Sequence, residues 1–285
     1  MSWLRRGLAL LLVLGTGTAA AATHQLDIPY ATAGATTLRL DLHKPDGVAQ
    51  PPLVVYLHGG AWNAGDKTAY PAFLVEAGFA VASVDFRSTD VAPFPANVHD
   101  IKAAVRFLRA HAAALGLDPR RIAISGASSG GHLAALVAVS AGNPALEGTL
   151  GSDTGASSAV QALVSWFGAS NLTTILAQST PFGLGVREPA LRRLLGDLPD
   201  KAPELARLAS PVVHVGPGDP PALLLHGDQD RQMPINQLHE LQGAYEAAGL
   251  PVQTLVLHGV GHDGVPFFAG APAARVVAFL RDALR

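Results

Sequence analysis

Short apolar runs alternate with longer amphipathic segments along most of the chain. The runs at 52–57, 79–85 and 121–125 are typical of buried strands, whereas 96–115 has the periodicity of a long amphipathic helix. The alternation continues with predicted strands at 160–167, 221–226 and 252–257, and with predicted helices at 70–76, after Ser128, at 234–248 and at 271–284. Strands that alternate with helices predict the α/β class, with a mostly parallel central sheet and helices on both faces. Residues 25–42 predict an antiparallel pair at the sheet edge.

The alternation is interrupted between residues 168 and 210. This segment reads as short helices and loops inserted between two core strands. We expect such a small helical insertion to lie over the carboxyl ends of the strands, where ligands bind in open α/β sheets, and to act as a partial lid. No low-complexity linker divides the rest of the chain, so residues 23–285 are expected to form a single domain.

The N-terminal 22 residues have the pattern of a secretory signal peptide. Arg5 and Arg6 precede an apolar stretch at 8–14, and small residues at Ala20 and Ala22 suit cleavage after Ala22. The apolar stretch is shorter than the roughly 20 residues of a transmembrane helix, so no membrane anchor is expected. The pattern therefore predicts an exported protein, either periplasmic or secreted.

Composition narrows the possible chemistry. Removing Arg5 and Arg6 leaves 18 Lys and Arg against 22 Asp and Glu, a formal net charge of −4, which disfavours a nucleic-acid partner. The chain has no cysteine, so disulfides and thiol catalysis are excluded. Its eleven histidines include no H-E-x-x-H spacing, and its glycines form no nucleotide-binding fingerprint. Neither a metal nor another cofactor is expected.

The segment Gly126-Ala127-Ser128-Ser129-Gly130 lies between a predicted strand and a predicted helix. This is the context that a G-x-S-x-G nucleophile elbow requires, with Ser128 exposed at the tip of a strained turn. The first amides of the following helix, including that of Ser129, would then face an oxyanion formed at Ser128. A glycine-rich strand-to-helix turn that has no catalytic role is the alternative interpretation of these five residues.

A serine nucleophile needs a histidine base and a carboxylate that orients the base. The predicted strand 222–226 leads to Asp228 and Asp230, and the predicted strand 252–257 leads to His258 and His262. The order Ser128, Asp230, His262 is the one expected of α/β hydrolases. We expect the competing Asp228 to bond turn amides and His258 to pack or cap a turn. His132, four residues beyond Ser128, is expected to be packed or hydrogen-bonded.

The loop His58-Gly59-Gly60-Ala61-Trp62 follows the first apolar strand and is a candidate second half of an oxyanion hole. Paired glycines let backbone amides turn toward a site, so the amides of Gly60 and Ala61 are the predicted donors beside that of Ser129. Several aromatic residues lie near the same predicted face. We expect a short apolar pocket bounded by rings, with packing in the core as the alternative, and name as candidates Trp62, Trp166, Phe182 and Phe267.

Together these segments resemble a known family. The chain is similar to bacterial feruloyl-esterase-like and hormone-sensitive-lipase-like esterases, and is close also to kynurenine formamidases. The resemblance covers most of residues 23–285 and rests on 58–62, 65–67, 84–87, 95–108, 118–122, the elbow, 220–230 and 261–262. It implies an α/β-hydrolase fold, and it makes the acid Asp230, the second aspartate of an H-G-x-x-D turn. Ala127, Ser129 and Met233 depart from the usual pattern, so the resemblance does not fix the substrate.

The sequence therefore predicts a serine hydrolase that cleaves small carboxylic esters, with short acyl chains or small aryl or acetyl groups, through an acyl-enzyme. A peptidase or an arylformamidase on the same fold is the alternative, because amide hydrolysis uses the same groups. A hydrolase fold that has lost catalysis and serves as a binding module is the alternative from another class.

Overall fold

The apolar runs form one eight-stranded sheet in the computed structural model, which describes residues 22–285. The strands are β1 (Ala22–Ala33), β2 (Thr36–Pro45), β3 (Leu53–Leu57), β4 (Ala80–Val84), β5 (Ile122–Ala127), β6 (Ala162–Trp166), β7 (Ala222–Gly227) and β8 (Val252–Leu257). Their order in the sheet is β1-β2-β4-β3-β5-β6-β7-β8. The pairs β1/β2 and β2/β4 are antiparallel, and the other pairs are parallel. The predicted parallel sheet with an antiparallel edge pair is confirmed.

The central strands are buried on both faces. In β3, Val55 and Leu57 belong to one apolar cluster, while Val54 and Tyr56 belong to a second cluster on the opposite side. This division follows from the strand pleat, which points successive side chains to opposite faces. The continuous apolar runs in the sequence are therefore explained by a sheet covered on both sides.

Ten α-helices are assigned in residues 22–285, and they connect and cover the strands. They are α1 (Ala72–Glu76), α2 (Ala96–Ala110), α3 (Ala112–Leu115), α4 (Ser129–Ala138), α5 (Pro144–Glu147), α6 (Ile175–Gln178), α7 (Pro181–Leu195), α8 (Pro203–Leu208), α9 (Asn236–Ala247) and α10 (Gly270–Ala283). The single helix predicted over 96–115 is divided at His111 into α2 and α3. Helix α3 ends at Gly116, whose φ of 68° is a left-handed cap that glycine adopts without strain.

The insertion at 168–210 contains α6, α7 and α8 between β6 and β7. Thr180 caps α7 by accepting a hydrogen bond from the Gly183 amide at 3.1 Å. The Thr180 hydroxyl also donates to the carbonyl of Arg231 at 3.1 Å, which fixes the start of α7 on the loop after β7. Helical structure is therefore present where it was predicted, and the role of this segment as a lid stays a prediction.

The predicted signal peptide lies outside the described residues except for Ala22, which begins β1 opposite Pro45. None of the helices in residues 22–285 combines the length and the apolar character that a membrane crossing requires.

Candidate active site

Ser128 occupies a strained turn between β5 and α4. Its φ of 57° and ψ of −121° are rarely adopted by a residue with a side chain. Glycines make the turn possible, since a Cβ on Gly126 would lie 2.3 Å from the carbonyl oxygen of Gly130. A Cβ on Gly130 would lie 2.1 Å from the carbonyl oxygen of Leu57. The Ser128 amide donates to the Trp166 carbonyl at 2.9 Å, so the elbow is also tied to β6.

A continuous hydrogen-bonded chain runs from Ser128 to a buried carboxylate. His262 Nε2 lies 2.9 Å from Ser128 Oγ, and His262 Nδ1 lies 2.6 Å from Asp230 Oδ2. The three residues come from the ends of β5, β7 and β8, which meet at one edge of the sheet. In this geometry the imidazole can take the serine proton while the carboxylate holds its other nitrogen protonated. The structure thus brings together the three residues predicted as nucleophile, base and acid.

Asp230 is surrounded by hydrogen-bond donors. Its Oδ1 accepts from the amides of Gln232 and Met233, each at 2.8 Å, and its Oδ2 accepts from His262. His226 Nε2 lies 3.4 Å from the same Oδ2 and 2.9 Å from the Met233 carbonyl. Burial raises the pKa of Asp230, but the interactions with His226, His262 and the Met233 amide outweigh it and hold that pKa well below its usual range. Asp230 is therefore an anion at every pH at which the protein would work.

The competing residues Asp228 and His258 form a separate pair. His258 Nδ1 lies 2.8 Å from Asp228 Oδ2, and Asp228 Oδ1 accepts from the Gly259 amide at 2.8 Å. The His258 side chain is 87% exposed. Within residues 22–285, neither residue is hydrogen-bonded to Ser128. Asp228 closes a turn through its bond to the Gly259 amide, as predicted. His258 pairs with Asp228 on the surface instead of packing.

Within residues 22–285, no three His, Asp or Glu side chains are grouped as a metal site would require.

The loop after β3 packs directly against the elbow. A Cβ on Gly59 would lie 3.1 Å from the Ala127 carbonyl oxygen and 3.4 Å from Ser128 Cβ, so the backbone approaches the nucleophile closely. Gly60 and Ala61 have φ values of 119° and 52°, which reverse the chain at this point.

The same turn leaves backbone donors free. It is closed by the amides of Asn63 and Ala64, which both donate to the Gly60 carbonyl. Among the turn and loop hydrogen bonds of the described residues, none is donated by the amides of Gly60 or Ala61. Together with the Ser129 amide at the start of α4, these donors remain the predicted oxyanion hole.

Three of the four predicted pocket residues are core residues. Trp62, Trp166 and Phe267 are 1%, 0% and 0% exposed, so the prediction that they line an accessible pocket is wrong. The φ of 64° at Trp62 accompanies an indole that is directed inward, while Trp166 ends β6 with its ring among other aromatic residues. Phe267 packs on Phe167, whose ring meets the His262 imidazole at 4.8 Å. Phe182 alone of the four is exposed, with 51% of its surface accessible.

His132 joins the loop after β3, residues 58–62, which we call the oxyanion loop, to the insertion. Because the indole N–H of Trp62 can only donate, His132 Nδ1 accepts this bond at 3.0 Å, and its Nε2 proton is donated to the Ala209 carbonyl at 2.7 Å. Burial lowers the pKa of His132 to about 4, so the ring is neutral near neutral pH. The prediction of a hydrogen-bonded histidine here is confirmed.

Sequence reasoning missed His226 and Arg187. The sequence pattern assigns His226 only to a strand, although it lies one residue before the end of β7 and its Nε2 is 3.4 Å from Asp230 Oδ2. Arg187 lies inside the insertion, where no motif indicated its position. Both are 1% exposed, and both lie near Asp230.

The sequence is similar to a known protein family and to curated relatives. The family model BD-FAE matches residues 40–245. Esterase LipQ of Mycobacterium tuberculosis is 33% identical over 230 residues, which are 78% of this chain and 53% of LipQ. The chain spans about half the length of the curated relatives that it matches.

Solved structures match over nearly the whole chain. A truncated carbohydrate esterase from gut microbiota superposes with a TM-score of 0.82 at 30% identity, covering 94% of this chain and 98% of that one. A thermophilic esterase of the Planctomycetes species Thermogutta terrifontis, Est2 in its butyrate-bound form, superposes with a TM-score of 0.69 at 25% identity, covering 93% and 92%. The fold is therefore the α/β-hydrolase fold, as predicted.

Proposed function

The chain belongs to the BD-FAE family, and we propose that it is a carboxylic ester hydrolase that works through an acyl-enzyme on Ser128. The observation that carries this proposal is the unbroken chain of hydrogen bonds from Ser128 Oγ through His262 to the buried Asp230. Relatives and solved structures that are named esterases support the same reaction class.

The reaction begins when Ser128 Oγ attacks the carbonyl carbon of the ester and His262 Nε2 takes the hydroxyl proton. The carbonyl oxygen becomes an oxyanion, which accepts hydrogen bonds from the amides of Gly60, Ala61 and Ser129. When the tetrahedral intermediate collapses, the C–O bond to the alcohol breaks and His262 gives its proton to the departing oxygen. A water molecule then attacks the acyl-enzyme with His262 again as base, which releases the acid and restores Ser128.

A small acyl group is the proposed substrate class. The Phe167 ring lies against the His262 imidazole, and α7 is anchored on the loop that carries Asp230, so bulky groups border the site. Bound butyrate and propionate in structures of the Thermogutta terrifontis esterase support short acyl chains. We expect kcat/KM on p-nitrophenyl esters to peak at about two to six acyl carbons, because each methylene left unburied forfeits about 0.8 kcal/mol.

Export is proposed from the signal-peptide pattern of residues 1–22. N-terminal sequencing of protein from a cell fractionation would test it. A mature chain that begins at Thr23, outside the cytoplasm, is expected. A cytoplasmic protein that retains Met1 or Ser2 would contradict it.

The central experiment combines active-site labelling with a substrate panel. A fluorophosphonate probe should label Ser128 in the intact protein, and paired esters and anilides with the same acyl group should show hydrolysis of the ester first. Ser129→Ala is the matched control, since it removes the neighbouring hydroxyl but keeps the Ser129 amide. A preference for the amides would favour the peptidase or formamidase reading. Neither labelling nor turnover would favour a binding module.

A further inference from the structure

Arg187 is a buried cation for which the described residues supply no hydrogen-bond partner at two of its nitrogens. The residue is 1% exposed, and its Nε and Nη1 atoms are fully buried and unpaired. No carboxylate of residues 22–285 forms a salt bridge with it. Burying an unpaired charge costs several kcal/mol, so such groups are normally matched by an ion or a hydrogen-bonded ligand.

Arg187 lies beside Trp62 and near Asp230, on a helix that packs on the loop carrying Asp230. Its guanidinium carbon is 5.8 Å from the centre of the ring of Trp62, the last residue of the oxyanion loop. One helical turn earlier, a Cβ on Gly183 would lie 2.8 Å from the Arg231 carbonyl oxygen, so this face of α7 packs on the loop that carries Asp230. Burial lowers the pKa of Arg187, and the charge of Asp230 partly opposes that change.

Asp230 does not serve as the missing partner. Its two oxygens already accept hydrogen bonds from His262 and from two backbone amides. A second arginine, Arg231, follows Asp230 in the chain, and its guanidinium lies 5.1 Å above the centre of the exposed Phe182 ring. Arg231 likewise has no carboxylate within salt-bridge distance in residues 22–285. Two arginines without a carboxylate partner in the described residues therefore lie near Asp230, although the whole chain carries a net charge of −2.

We propose that Arg187 is a substrate-recognition residue that binds a carboxylate carried by the ester, with Arg231 assisting at the rim. A guanidinium matches the planar geometry of a carboxylate, and a hydrogen bond to a charged group in a buried site is strong. A single negative charge neutralises Arg187, whereas a dianionic phosphate would place excess negative charge beside the anionic Asp230. This inference rests on the proposed esterase function and specifies its substrate class.

The test uses ester pairs that differ only in one charge. In the acyl arm, p-nitrophenyl hemiglutarate is compared with its methyl-capped ester. In the alcohol arm, 3-acetoxybenzoate is compared with methyl 3-acetoxybenzoate. The measured quantity is the ratio of kcat/KM for the anionic ester to that for its neutral partner. The wild-type ratio should be about 10- to 100-fold above that of Arg187→Met in one arm, the range expected for a hydrogen bond to a charged group. The arm that responds identifies which part of the substrate carries the carboxylate.

Two further variants separate recognition from packing. Arg187→Lys keeps the charge and should retain part of the anionic preference. Arg192→Met removes an exposed arginine from the same helix, one that pairs with Asp197, and should leave the ratio unchanged. The part of the anionic preference that depends on Arg231 should fall more steeply with salt concentration than the part that depends on Arg187, since exposed charges are screened more strongly.

A wild-type enzyme without anionic preference in either arm would overturn the inference, as would a preference that Arg187→Met retains. An equal loss on anionic and neutral esters in that variant would instead assign Arg187 to positioning and also overturn it. If Arg187→Met does not fold, the wild-type ratio and its reduction in Arg231→Gln decide the question. Failure to hydrolyse any ester of either arm, anionic or neutral, would reject the proposed function itself, so the two failures are distinguishable.

Discussion

Replacing Asp230 by Asn tests the proposed mechanism most sharply, because the structure shows why the smallest possible change should fail. All four groups around the carboxylate act as donors toward it: two backbone amides at Oδ1, and His262 with the more distant His226 at Oδ2. An asparagine has only one acceptor oxygen. Whichever way its amide is turned, an NH₂ group must face donors on one side.

The orientation that keeps the two backbone hydrogen bonds should prevail, since the other leaves two buried amides unpaired at about 1–3 kcal/mol each. In that orientation the NH₂ group faces His262 Nδ1 at the position of the present 2.6 Å bond. The imidazole must then carry its proton on Nε2, where it can no longer accept the proton of Ser128. A loss of about 10³- to 10⁴-fold in kcat is expected for a histidine held in the wrong tautomer.

The assay is steady-state hydrolysis of a neutral p-nitrophenyl ester, with Asp228→Asn as the matched control. Asp228 is the other aspartate of the same loop and is paired with the exposed His258, so its replacement should change kcat by less than about threefold. Circular dichroism and the thermal midpoint show whether each variant is folded. Equal effects of the two substitutions, or a larger effect at Asp228, would refute the assignment of Asp230.

Three other predictions follow from the same structure. Ser128→Ala should lower ester turnover about 10⁴-fold or more while the thermal midpoint stays nearly unchanged, and more than a few per cent residual activity would exclude Ser128 as nucleophile. Gly130→Ala, which places a Cβ 2.1 Å from the Leu57 carbonyl oxygen, should lower the free energy of unfolding by at least about 1–3 kcal/mol in urea titrations. The pKa of His132 is about 4 in the folded protein, against 6.5 for an unperturbed imidazole, so the unfolded chain binds the extra proton between these values and the contribution of His132 to stability falls as the pH drops from 6.5 to 4. That loss should be about 3 kcal/mol, and a wild-type free energy of unfolding that does not change over this window would contradict it.

Much of the fold could be predicted because burial on both faces of the sheet leaves continuous apolar runs in the sequence. The predicted strand at 252–257 corresponds to β8, and the predicted one at 121–125 overlaps most of β5. The predicted helix at 96–115 was less accurate, because periodicity persists across the break at His111 while backbone geometry does not. Propensity and periodicity report which face of an element is buried, and they say little about where hydrogen bonding is interrupted.

The candidate site was predictable only where backbone chemistry constrains the residue type. Glycines at 126 and 130 are required by close backbone contacts, so the elbow could be located from the sequence. The pocket could not, because an aromatic residue beside a catalytic loop can be directed inward or outward with equal ease. Trp62 is directed inward because its indole N–H finds His132, a partner 70 residues away in sequence. No local pattern contains such a contact.

The strain at Ser128 and the bonding of Trp62 are connected parts of one arrangement. The positive φ of Ser128 is maintained only if its neighbours allow no relaxation, and the loop after β3, helix α4 and the end of the insertion supply that restraint. The Gly59 backbone packs on the elbow, the Trp62 indole is bonded to His132 one turn further along α4, and His132 is bonded in turn to Ala209 at the end of the insertion. The insertion therefore supports the oxyanion loop through His132. Opening of the insertion as a whole would break the hydrogen bond between His132 and the Ala209 carbonyl. Any lid motion should therefore be confined to the part of the insertion that precedes Ala209.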